Sequence, residues 1–303
     1  MDIDLSDVRA SERQLIASFS RFLFKGPFNK NIRNTKHFNE WYSLPMNYAR
    51  IMEIPITKHT LGARKEHAIL DISSPKSLSL YYMLNGFHDI TITDVDSYFI
   101  DDFNIYKNEI GNTSAELLTF DATRRFPFDD NSFDRIFSVS VIEHFPKGGD
   151  SAAIKEIARV LKPGGVAVVT LPAYFTYMEE WTSNKLPWPT EVNEAGRDFF
   201  QRRYDRKEID RLLSGSGLHS DYILVAETPI APISVGSDGI LKHNSYLVYD
   251  SLTSKVIRRL GRHLKLPYAR WLAERCASAR HHYLTTEWDN PEIRQVVLRL
   301  EKQ

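Results

Sequence analysis

Two acidic residues are the first to suggest chemistry. Asp71 lies inside the apolar run Ala68-Ile69-Leu70-Asp71-Ile72, and Asp94 ends the run Ile90-Thr91-Ile92-Thr93. They stand 23 residues apart, the length of one strand–helix–strand unit. A carboxylate ending the second strand of such a unit commonly accepts hydrogen bonds from a ribose diol, because that strand tip faces the nucleotide. A solvated turn places the same residue type at the same point, and spacing does not choose between the two. After the first strand comes Ser73-Ser74-Pro75-Lys76-Ser77. Ser74 is a good helix N-cap and Pro75 a favoured first helical residue, so the order predicts a helix starting at once. Its first amides, on Lys76 and Ser77, would then point at a ligand, as helix N-termini do toward anions.

Further along, Arg202 and Arg203 offer guanidinium forks to an anionic ligand, or form a solvated pair at a helix start. Tyr174, Tyr177, Glu179 and Trp181 read as the wall of a binding site or as a packed lid. No metal site is expected. There is no His-x-x-x-His or Cys-x-x-Cys pair, and the doublet His281-His282 reads as surface. Neither a Walker loop nor a Gly-x-Ser-x-Gly elbow is present.

The elements that must position these residues follow from periodicity. Short β-branched runs predict strands at 68–72, 90–93, 117–120, 133–139, 166–171 and 222–226. Helices are predicted at 78–85, 152–161 and 205–213, the second stopped by Lys162-Pro163-Gly164-Gly165. Strand–helix alternation of this kind means a doubly wound, mostly parallel sheet with its ligand site at the strand C-termini. Before it, 11–24 carries a helical apolar face and 1–60 reads as a helical, aromatic cap. Residues 174–188 read as an aromatic loop, 246–249 as a last strand, and 252–280 as a basic helix within a helical extension, 251–303.

The 303 residues carry 39 Lys+Arg against 39 Asp+Glu. That neutrality is a cancellation: 1–60 is net +3, 61–250 is net −9 and 251–303 is net +6. Balance argues against a globally basic nucleic-acid binder. In the tail, Leu252, Val256, Ile257, Leu260 and Leu264 alternate with basic residues. Such a helix would pack on the acidic middle of its own chain, lie on an anionic membrane or grip an anionic acceptor. The single cysteine, Cys276, fits a reducing compartment, no 18-residue apolar stretch exists, and no secretory signal is visible, so the expected setting is cytoplasmic.

The segments AILDISS, ITITDVD, TFDATRRFPFDDNSFDRIFSVSVIEHF and IARVLKPGGVAVVTLP, in this order, resemble the successive motifs of class I S-adenosylmethionine (SAM)-dependent methyltransferases. The similarity runs from about 67 to 172, with a weaker echo in FFQRRYDRKEIDRLLSGSGL. It implies a Rossmann-like, seven-stranded sheet and SAM as cofactor. Carried over by position, Asp94 would hold the ribose and Asp121 the adenine amino group, with the Ala122 N–H nearby. Ser138 to Val141 would line the methyl-transfer end. The family's glycine-rich loop is absent, because Ser73, Pro75 and Ser77 stand where it has glycines. Either SAM binding is lost, leaving a non-catalytic binding or scaffold protein, or Asp71, Ser73, Ser74, Lys76 and Ser77 form a rebuilt loop suited to the methionine carboxylate. His144 is the best-placed general base, with packing or capping as its other reading. The acceptor implied is a small or medium-sized metabolite: a sugar, a lipid-linked intermediate or a secondary metabolite. Its attacked atom and the oligomeric state stay open.

Overall fold

Among the described residues, the central sheet has eight strands. The computed structural model describes residues 1–41, 46–48, 50–112, 114–186, 190–229, 234–236, 240–242 and 269–303. The sheet strands are β1 (Ile69–Ile72), β2 (Ile90–Asp94), β3 (Glu116–Thr119), β4 (Phe133–Val139), β5 (Leu161–Pro172), β8 (Leu218–Glu227), β11 (His282–Thr285) and β12 (Ile293–Lys302). Their spatial order is β11-β8-β12-β5-β4-β1-β2-β3. β1 to β5 are parallel, and β12 runs antiparallel between β5 and β8. β6 (Met178–Thr182) and β7 (Asp198–Arg203) form a separate antiparallel hairpin, and β9 (Ser234–Val235) pairs with β10 (Leu241–Lys242).

Alternation along each strand builds two cores. Ile69, Phe137, Val139, Val166, Val168 and Val297 face one side, covered by α1 (Leu5–Lys25), α4 (Arg50–Leu61), α5 (Ser77–Leu84) and α6 (Ile100–Ile110). Leu70, Ile136, Ala167, Val169, Val296 and Leu298 face the other, against α7 (Gly149–Val160) and α8 (Arg206–Leu213). Two short helices, α2 (Lys30–Arg33) and α3 (Lys36–Trp41), link α1 to α4, and α9 (Ala269–His281) precedes β11. The N-terminal helices therefore complete one layer of the sandwich. The KPGG stretch makes an irregular entry into β5: Gly164 has φ +73, and a Cβ on Gly165 would lie 2.7 Å from the Lys162 carbonyl oxygen.

Five expectations need correction. Among the described residues the sheet has eight strands rather than seven, because β11 adds an edge. Residues 282–285 and 293–302 are strands of the core sheet and not helical extension. Ile293, Val296, Val297, Leu298 and Leu300 are all at most 1% exposed, and burying each side chain stabilises by about 1.5–3 kcal/mol. A short apolar run fits helix and strand alike until a partner strand is available. The aromatic loop contains β6, and Arg202-Arg203 end β7 instead of starting a helix; α8 begins one turn later, capped by Asp205, which accepts from the Glu208 N–H at 2.8 Å. Finally, Ser74 does not cap α5. That helix starts at Ser77 behind Lys76, without a side-chain cap. The strand expected at 246–249 and the tail helix over 252–268 lie outside the described residues.

Candidate active site

β1 and β4 are neighbours, with β2 and β3 to one side and β5 to the other, so the strand order reverses between them. Ligands of doubly wound sheets bind in the crevice outside the strand C-termini at such a point. The backbone is strained at both strand tips. Ser73 after β1 has φ +52 and Ser140 after β4 has φ +48, a left-handed conformation that L-residues other than Asn and Asp rarely adopt. Ser73 thus takes, as a serine, the backbone form usually left to glycine.

The loop after β1 is held from inside. Asp71 is fully buried; its carboxylate accepts from the Ser74 N–H at 2.9 Å and from the Ser79 hydroxyl of α5. Burial pushes the Asp71 pKa up, against the pull of Lys76. The Ser74 hydroxyl accepts from the Val139 N–H at 3.0 Å, bolting the loop to β4. Ser138, also fully buried, reaches the Ile72 carbonyl at 3.3 Å, and Ser77 opens α5 at 3% exposure. Lys76 is 3% exposed and does not reach toward solvent. Its Nζ donates to the Ser74 and Thr93 carbonyls at 2.9 and 2.8 Å and pairs with Asp94 at 3.0 Å. It lies 3.9 Å from Asp71 and 4.9 Å from the Phe99 ring centroid.

Asp94 stands at the cleft surface. Its Oδ1 accepts from the Val95 N–H at 2.9 Å, and its Oδ2 takes Lys76 and, at 3.3 Å, the Tyr98 hydroxyl. A carboxylate offers about four acceptor sites, so one remains on Oδ1, and exposed Tyr98 is the weak partner that a ribose hydroxyl could displace. Asp121, after β3, binds Thr123 at 2.6 and 2.9 Å and Arg124 at 3.0 Å, with Ala122 buried beside it. Acceptors at the β2 and β3 tips and a left-handed turn at the β1 tip fit an adenosine ligand. Lys76 acts as a fixed counter-ion to Asp94.

The second part of the site is a cavity of about 410 Å³ beyond the ends of β4, β5, β8 and β12. Ser140, Glu143 and His144 line it from the β4 side, Arg203 from β7, Arg294 from β12 and Arg50 from α4. His144 Nδ1 lies 2.5 Å from the Phe200 carbonyl, which can only accept, so Nδ1 carries the proton and Nε2 is the basic nitrogen. Burial lowers the His144 pKa and keeps the ring neutral. Glu143 is 1% exposed, its Oε2 has no hydrogen-bond partner among the described residues, and burial pushes its pKa to about 8. From α4, fully buried Glu53 accepts from the Ser140 hydroxyl at 2.6 Å and the Thr170 hydroxyl at 3.3 Å, and pairs with Arg50.

Residues 70–169, about a third of the chain, match the family described as "Methyltransferase domain". Residues 70–169 carry a methyltransferase domain. Among curated proteins, none matches it. Similar solved structures include YcgJ from Bacillus subtilis, 15% identical over 82% of this chain and 98% of that one, TM-score 0.48. Geranyl diphosphate C-methyltransferase from Streptomyces coelicolor is 10% identical over 84% and 78%, TM-score 0.49. A SAM-dependent methyltransferase from Methanosarcina mazei is 17% identical over 79% and 94%, TM-score 0.44.

Within the methyltransferase domain, the expected cofactor residues converge on the tips of β1 to β4. The expected acceptor residues do not converge. Arg203 lines the cavity, whereas Arg202 donates to the Phe145 carbonyl at 2.6 Å and stacks on Phe199 at 4.7 Å. Tyr174 packs on Phe175 at 4.4 Å, and Tyr177 donates to Glu179 at 3.0 Å; neither lines the cavity. His282, expected at the surface, lines it at 9% exposure, and burial drives its pKa to about 3. Sequence reasoning missed Glu53, Glu143, Glu227 and Arg294. Only Glu143, next to His144, carried any local signal. Among the described residues, no helix is long and apolar enough to cross a membrane, and no His/Cys/Asp/Glu cluster suits a metal.

Proposed function

We propose that the protein transfers a methyl group from SAM to a small or medium-sized metabolite held in the cavity beyond the β4 tip. The single observation that carries this reading is that the cavity opens at the tip of β4, where Ser140 lines it, beside the β1 tip loop that Ser74 bonds to Val139 of β4. Asp94 receives the ribose hydroxyls, and Asp121 with the Ala122 N–H receives the adenine. Residues 73–77 and Ser138 frame the methionine end. Bound SAM supplies an electrophilic methyl on a sulfonium, opened by in-line displacement. This chain's own work is to align the acceptor, exclude water and accept a proton. His144 Nε2 is the acceptor of that proton, since the Phe200 carbonyl holds the ring in the required tautomer. The attacked atom is oxygen, nitrogen or carbon. The setting is cytoplasmic, in keeping with one free cysteine, Cys276.

Calorimetric titration with SAM and S-adenosylhomocysteine (SAH) tests the cofactor half. Binding should be measurable and should vanish in Asp94→Ala; no heat from either ligand in folded wild type would overturn the reading. For the catalytic half, transfer of labelled methyl from SAM into a small-molecule extract should fall about 10²–10⁴-fold in His144→Ala. SAH affinity should be unchanged. An equal loss of SAH binding would make His144 a packing residue instead.

A further inference from the structure

The cavity contains an unusual excess of donors. Arg203 is 7% exposed, and its ion-pair partner among the described residues is Glu180, reached through Nε at 3.2 Å. Nε itself is buried without a hydrogen-bond partner among the described residues, none of which accepts from Nη1 or Nη2. A nearly buried guanidinium with its fork unused is costly unless a ligand completes it. Arg294, by contrast, is spent: it donates to the Ile293 and Glu227 carbonyls at 3.0 and 3.3 Å and pairs with the Glu227 carboxylate at 3.4 Å. Burial holds its pKa below the usual guanidinium range, and the charge of Arg203 adds to that. Glu143 stands in the same cavity without a hydrogen-bond partner for Oε2, neutral near pH 7, so it donates rather than repels.

Charge accounting narrows the ligand. Arg50 pairs with Glu53, Arg203 with Glu180 and Arg294 with Glu227, and the histidines His144 and His282 are neutral. The empty cavity is therefore close to neutral while presenting a two-pronged guanidinium and a carboxylic acid O–H. That arrangement complements one negative charge shared over two oxygens. A monoanion adds one uncompensated charge to this nearly neutral wall and a doubly charged phosphate monoester adds two, so the monoanion is the less costly oxyanion to bury. We propose that the methyl acceptor carries a singly charged oxyanion, a carboxylate or a phosphodiester, received by the Arg203 fork and the Glu143 acid. This rests on the cavity being the acceptor site. The oxyanion anchors the acceptor on the β7 side, leaving the nucleophile to face His144.

The test uses full-length protein saturated with SAH, titrated at pH 7 with benzoate, dimethyl phosphate, inorganic phosphate and neutral benzamide, and followed by ligand-observed NMR. Benzoate or dimethyl phosphate should bind at least ten-fold tighter than benzamide and inorganic phosphate, and the better of the two names the oxyanion. Arg203→Gln should erase the preference, and Arg211→Gln, a surface guanidinium on α8, should keep it. Benzamide binding as tightly as either monoanion, or a preference that survives in Arg203→Gln, overturns the proposal. If Arg203→Gln does not fold, Arg203→Lys keeps the charge beside Glu180 but loses the fork. Monoanion affinity should then drop at least three-fold, and unchanged affinity overturns the assignment. SAH heat recorded in the same samples separates the two readings. Heat without monoanion preference sinks only the oxyanion. Preference without heat leaves the oxyanion pocket standing and sinks the cofactor assignment.

Discussion

The cleft at the β1 to β3 tips and the cavity beyond the β4 tip, proposed for cofactor and acceptor, are neighbours along one edge of the sheet, yet they are built on opposite logic. In the cleft, every charged group already has a partner: Lys76 bridges Asp94 and Asp71, Ser74 and Ser79 hold Asp71, and Arg124 pairs with Asp121. The cavity instead keeps polar atoms buried without a hydrogen-bond partner among the described residues, the Glu143 Oε2 and the Arg203 Nε among them. A satisfied frame can hold its shape before the ligand arrives. An unsatisfied pocket stores a demand that only the correct ligand meets, which favours specificity over stability.

The sharpest way to break the comparison is Lys76→Met. It leaves two carboxylates and two carbonyls buried without their cation and should destabilise the fold by about 3–5 kcal/mol in urea unfolding. Adding Asp94→Leu should recover a large part of that loss without restoring SAH binding. A loss below about 1 kcal/mol for Lys76→Met would mean that the bridge does not frame the cleft.

Next in size is Glu143→Gln, which probes the unsatisfied side through pH. In the folded protein this carboxyl stays protonated up to about pH 8, while an ordinary glutamate ionises near 4.5. Groups facing it are Arg50 and Glu53 from α4, Arg203 from β7, Tyr204, and His144 Nε2, which lies 3.8 Å from Oε1. Between those two pH values the unfolded chain has released the proton and the folded one has not, so wild-type stability falls as pH rises. The glutamine variant lacks this penalty. It should match wild type near pH 5 and exceed it by on the order of 3 kcal/mol at pH 8. An equal difference at both pH values would contradict a neutral Glu143.

The smallest effect concerns the strained tip of β1. Ser73→Gly relieves a left-handed serine and should stabilise by about 1 kcal/mol or less, because glycine also gains unfolded-state entropy. SAH affinity should change less than three-fold. A clear loss of binding would show that the Ser73 side chain, and not only its backbone, serves the cleft.

Much of the cleft could be read from the chain. Parallel strands separated by helices announce themselves through apolar runs bounded by turns, so Asp94 stood out from spacing, and Asp121 from the resemblance of its segment to methyltransferase motifs. Ser74 and Lys76 stood out in the chain as a helix cap and as an amide at a helix start. A cap and an anion-facing helix start are local readings. The actual partners, Val139 N–H and Asp94, lie 65 and 18 residues away in sequence. The cavity was almost invisible because its walls come from α4, β4, β7, β8, β11 and β12, which meet only after the sheet is assembled.

Composition and periodicity by themselves determined the parallel half of the sheet and the order of its first five strands in sequence, and placed Asp94 at the tip of the second. These rest on local rules: alternation, turn chemistry and helix stops. Tertiary structure alone decided that the last ten apolar-rich residues insert antiparallel between β5 and β8, and that Lys76 turns inward. It also decided that Arg203 faces the cavity while Arg202 faces away. Those outcomes depend on which distant strand offers unpaired backbone groups and which buried charge lacks a counter-ion, and no local window of sequence contains that information.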